Sequence, residues 1–167
     1  MSTKTELAKL QPQAPKFEPG VGGIPEIPKE DVLAALGMAS HHIPRSTVGV
    51  QLVLAKYTDD QLAIKTLEKS LPRMIWLLWY DYGFTGNIRP QVTKDIARIA
   101  IADFCEPAKF RNTKGEHVAA IFARMSNMDY RTWLRKYDRL YGILLSKLSE
   151  QEGPVFRLVY HYLLEPT

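Results

Sequence analysis

Arg131, Arg135 and Arg139 stand four residues apart, and on an α-helix that spacing lines them up as a single stripe. Thr132 and Lys136 lie beside the stripe. On the opposite face fall Tyr130, Trp133, Leu134, Tyr137, Leu140, Tyr141, Leu144 and Leu148, at a period of 3.6. The chemistry this offers is recognition of a polyanion. A guanidinium fork reaches guanine O6 and N7 with two bonds, or grips a phosphate. Reach into a groove divides the candidates. Arg131, Thr132 and Arg135 suit base edges, whereas Arg124, Ser126, Asn127, Lys136 and Arg139 suit phosphate. The alternative is a solvated amphipathic helix whose cations pair with Asp138.

The charge distribution supports the stripe. The net charge of +4 is not spread evenly, since residues 1–30 and 31–106 are each neutral while residues 107–147 carry +6. A local excess attracts a polyanion where a diffuse one does not.

Enzyme chemistry has no comparable foothold. The histidines are His41, His42, His117 and His161, and adjacent histidines diverge too much to share a metal. Cys105, the single cysteine, excludes an internal disulfide or a multi-cysteine zinc site, and reads as a small buried side chain. Phosphate-loop, dinucleotide and zinc-protease motifs are missing. Asp81 and Asp103 have no obvious partners. The expectation is a non-enzyme without cofactor or metal.

The elements that must position the stripe read as all-α. Residues 1–29 hold five of the eleven prolines and are expected to form a flexible arm, with one helical domain over 30–167. Asp31 is expected to cap a helix over 32–38 facing inward with Leu33, Leu36 and Gly37. A second helix is expected over 45–57, burying Val48, Leu52 and Leu54. Thr58 to Gln61 reads as a capping box, opening a helix with Leu62, Leu67 and Leu71 inside that Pro72 should kink or split. After a turn at 83–87, Pro90 starts a helix to about Phe104, and Pro107 ends it. A basic loop follows over 109–115. A final helix over 154–164 presents Phe156, Val159, Tyr160 and Leu163. The longest apolar run, 74–80, falls short of the roughly 20 residues needed to cross a bilayer. No signal peptide is visible, and a soluble protein is expected.

Between these lies a pair of helices. A short one over 116–124 should bury Val118, Ile121 and Phe122, and a turn over 125–128 should lead to a long second helix capped by Asp129. So brief a connection is similar to the helix-turn-helix motif, with Trp133 in the angle and the arginines on the recognition helix.

Glu30 to Ala39, Asp60 to Ile64 and Ile101 to Cys105 resemble, in order, blocks of the Q-type late-gene antitermination proteins of lambda-like bacteriophages. The run through Tyr130 and Trp133 is similar to that family's closing helices, so the likeness spans about residues 30–148. Several members carry a zinc ribbon after the block that ends here in Cys105; this chain has no second cysteine, which implies a zinc-free version. The resemblance implies binding of double-stranded DNA at a late promoter in the bacterial cytoplasm. It also implies engagement of host RNA polymerase with its sigma factor, and suppression of pausing and termination. The aromatic run (Trp76, Trp79, Tyr82, Phe84) offers a polymerase contact, although core packing is the stronger reading for most of it. Two other readings stay open: a helical adaptor that binds only protein, and an ordinary helix-turn-helix repressor.

Overall fold

The computed structural model describes residues 28–39, 43–44, 47–111 and 118–164. Among the described residues there are eight helices and no strand, so the expected all-α class is what is observed. The helices are α1 (Lys29–Ala39), α2 (Val48–Thr58), α3 (Gln61–Asp81), α4 (Pro90–Cys105), α5 (Pro107–Arg111), α6 (Val118–Met125), α7 (Tyr130–Lys136) and α8 (Asp138–Leu164). The expected arm up to residue 27, most of the basic loop, and His41, His42 and His117 lie outside the described residues.

The larger core forms where α3 and α4 fold back on each other and receive the first half of α8. Leu67, Leu71 and Ile75 of α3 and Ile96, Ile99 and Ala100 of α4 meet Leu140, Leu144 and Leu148 of α8, all essentially inaccessible. A smaller core joins Val32, Ala35 and Leu36 of α1 and Val50 and Val53 of α2 to Val155, Val159 and Leu163 of α8. Burying a Leu, Ile or Val side chain is worth about 1.5–3 kcal/mol, so α8 is held along its whole length.

That explains two departures from the expected helices. The helix expected to start near Pro154 is the second half of α8, which runs unbroken for 27 residues, about 40 Å. Val155, Val159 and Leu163 continue the buried stripe of Leu140, Leu144 and Leu148, and this packing outweighs the one backbone bond that Pro154 removes. Pro72 likewise sits inside α3 without splitting it. Conversely, the long helix expected from Asp129 breaks at Tyr137, where φ is −120° and ψ is −20°. There the Tyr137 ring lies 5.9 Å from Trp79 and 6.2 Å from Trp133.

Smaller corrections concern caps and faces. Asp31 lies within the first turn of α1 rather than capping it, and the inward residues are Val32, Ala35 and Leu36, leaving Leu33 exposed. In α2 Leu52 is buried as expected, but Val48 and Leu54 are half-buried while Gly49, Val50, Val53 and Ala55 turn inward. Gly49 packs directly on the backbone of α8 at Gln151. The cap of α3 is Asp60, whose carboxylate accepts from the amides of Leu62 and Ala63; Thr58 instead ends α2, donating its hydroxyl to the Leu54 carbonyl. Leu62, expected inside, is 74% exposed, and Ala63 takes the inward position.

Asp103 also gains a partner that the sequence did not suggest. It is buried in α4 and accepts a 2.8 Å hydrogen bond from the Tyr141 hydroxyl of α8. No helix among the described residues is long and apolar enough to cross a membrane.

Candidate nucleic-acid interface

The turn between α6 and α7 is built by local backbone chemistry. Asn127 adopts φ +53°, the left-handed conformation that asparagine tolerates better than most residues. Its amide then donates to the Arg124 carbonyl at 3.2 Å, and the Met128 amide donates to Ala123 at 3.0 Å. This pair of bonds is the Schellman arrangement that satisfies the last carbonyls of a helix. Two residues later Asp129 caps α7, accepting from the Thr132 amide at 3.0 Å and from the Thr132 hydroxyl. Those bonds hold its carboxyl below the usual carboxylate value.

Behind the turn sits Trp133, fully buried. Its ring contacts Phe122 of α6 at 5.7 Å and Tyr141 of α8 at 5.8 Å, while its indole N–H donates to Asp138 at 3.2 Å. The expectation that tryptophan fills the angle between the helices is met. Asp138 serves Trp133, and among the described residues it forms no ion pair with the arginines. Burial pushes the neighbouring Tyr137 phenol above its ordinary value.

The expected contact residues divide into three groups. Arg131, Arg135 and Lys136 are exposed on α7, and among the described residues none is in an ion pair. Arg131 lies in the first turn, where the helix dipole disfavours a cation unless an anion is at hand. Arg124 is exposed at the end of α6, and Asn127 is exposed at the turn.

Arg139 belongs to α8, beyond the break at Tyr137, so the three arginines do not share one helix. Its guanidinium lies 5.0 Å from the centre of the Phe84 ring, which itself stacks on Trp79 at 4.9 Å. Side-chain periodicity carries no trace of this contact. Its signal would have been a phenylalanine held between Gly83 and Gly86, both at positive φ.

Two assignments need correction. Ser126 is 6% exposed and donates its hydroxyl to the Phe122 and Ala123 carbonyls at 2.8 and 3.1 Å, so it closes α6 instead of facing a phosphate. Thr132 is half-buried and its hydroxyl is committed to Asp129, so it completes the cap rather than reaching a base. Tyr130 and Leu134, expected inside, are each 40% exposed and flank Arg131 and Arg135. The seven-residue α7 is only about 10 Å long and thus presents a compact surface of two arginines, a lysine and two apolar side chains.

No protein-family model, curated protein or solved structure matches this chain. Among the described residues no group of His, Cys, Asp or Glu is placed to hold a metal.

Proposed function

We propose that this protein binds duplex DNA through the α6–α7 unit, and that it acts as a late-gene antiterminator that loads at a promoter and travels with host RNA polymerase. The observation that carries the DNA step is the exposed pair Arg131 and Arg135, outside any ion pair among the described residues, on a short helix fixed from behind by Trp133. A rigid mount matters because bidentate recognition needs the guanidinium plane aligned with the base edge. Tyr130 and Leu134 fit the same surface as apolar neighbours for a thymine methyl. The antitermination step rests on the block resemblance across about residues 30–148.

The test is a gel-shift salt series on late-promoter DNA. Affinity is expected to fall steeply with salt, and Arg131→Ala/Arg135→Ala should lower the slope by roughly 0.9 for each phosphate no longer neutralised. Transcription by purified polymerase through a downstream terminator then tests antitermination; an ordinary repressor would leave read-through unchanged. A second reading, a protein-binding adaptor, is favoured by the exposed Met125, Tyr130 and Leu134. It is the one to adopt if the double variant binds DNA as well as the wild type.

A further inference from the structure

The outer face of α3 carries a second stripe that duplex binding does not use. Lys65, Lys69 and Arg73 follow one another at four-residue intervals, and Trp76 and Tyr80 continue the line toward the end of the helix. All five are exposed, Trp76 by 47% and Tyr80 by 45%. Among the described residues none of the three cations is in an ion pair. The two rings contact each other with centroids 4.6 Å apart, and the Tyr80 hydroxyl donates to the Asn87 side chain at 3.1 Å. The aromatic end is therefore held in place while its outer surface stays open to solvent. The core does not need these side chains: α3 is anchored by Leu67, Leu71, Ile75 and Trp79 on its other side.

We propose that this face of α3 binds a single strand of nucleic acid, with Lys65, Lys69 and Arg73 on successive phosphates and Trp76 with Tyr80 as the platform for unpaired bases. Charge complementarity selects a polyanion. Four residues of helix rise about 6 Å, so the cations step at the scale of a stretched sugar-phosphate backbone. Base stacking on exposed aromatics beside a cationic track is the general solution for single strands, and it requires unpaired bases, which a closed duplex does not offer.

The same layout disfavours the competing occupants. A membrane-surface helix has a broad apolar face with cations at its edges, whereas here the cations occupy the middle of the exposed line. A partner helix needs a groove, and the outer face of α3 is a ridge. This surface stands on a different helix from Arg131 and Arg135, and its ligand is distinct from the duplex.

Trp76 also supplies the reporter. Trp79 and Trp133 are 4% and 0% exposed, so a bound strand quenches chiefly Trp76. The full chain is titrated with an oligothymidylate of about 20 residues, followed by tryptophan fluorescence and by anisotropy of the labelled strand. Expected are quenching on binding, roughly tenfold or weaker affinity for Lys69→Glu/Arg73→Glu, and about a tenfold loss for Trp76→Ala with recovery in Trp76→Phe. An oligouridylate of equal length should bind alike, because the stripe reads phosphates and base faces.

Because every substituted side chain is exposed, circular dichroism of the variants should match the wild type. Arg131→Ala/Arg135→Ala should keep oligothymidylate binding while losing the duplex, which separates failure of this proposal from failure of the previous one. The proposal is overturned if oligothymidylate binds the α3 variants as well as the wild type. It is equally overturned if the quenching arises instead with polyglutamate, or with phosphatidylserine/phosphatidylcholine vesicles.

Discussion

Tyr141 and Asp103, 38 residues apart, meet through a 2.8 Å hydrogen bond from the phenol to the buried carboxylate, and this contact ties α8 to α4 inside the larger core. Removing the hydroxyl leaves the carboxylate short of a donor it cannot replace with water. Tyr141→Phe is expected to cost about 1.5–3 kcal/mol, the range for a hydrogen bond to a charged group. Urea denaturation of the purified protein measures it; an unchanged midpoint would mean that the bond adds nothing to stability.

Gly49 makes a contrast among the glycines. A Cβ there would lie 2.2 Å from the Gln151 carbonyl oxygen, so Gly49→Ala must push α2 away from α8 and should destabilise by about 1–3 kcal/mol. Gly142 and Gly153 lie inside α8 with nothing within 4 Å of where an alanine methyl would sit, and alanine at either should stabilise by about 0.5–1 kcal/mol. Thermal melts should therefore move one way for Gly49→Ala and the other way for the two α8 variants.

The two aspartate caps can be separated by pH. Asp60→Ala should cost about 1 kcal/mol, since two amides lose their acceptor. At Asp129 the carboxyl is held low by Thr132, so its contribution is present above the unfolded-state value of about 3.9 and is lost as pH falls through the lowered folded value. The Tm difference between wild type and Asp129→Ala should stay constant from about pH 5 to 8 and close at lower pH.

Glu152 has the opposite sign. Burial in α8 raises its carboxyl above the ordinary value, partly countered by Lys56 of α2. A raised acid favours the folded state when protonated, so the penalty develops as pH climbs from the unfolded value through the folded one and is complete above it. Glu152→Gln should therefore raise Tm at neutral pH and lose that advantage in acid.

Arg131 and Arg139 should differ in duplex binding. Arg139 already rests on Phe84, whereas Arg131 has no such contact among the described residues. Arg131→Ala should weaken binding by about tenfold or more, and Arg139→Ala by less. Equal losses in anisotropy titrations would place both in the groove.

The sequence by itself determined the helical class, the Asp129 cap, the Pro90 start and the burial of Trp133, because each depends on a local pattern or on one large apolar side chain. It also placed Arg131 and Arg135 on the outside. Only the tertiary structure decided where helices end and which hydroxyls are available. Packing against a common core carries α8 through Pro154 and breaks the chain at Tyr137, and the α6–α7 turn consumes Ser126 and Thr132. Breaks and hydroxyl partners depend on neighbours brought close by folding, and side-chain periodicity records only which way a residue faces, not what it meets there.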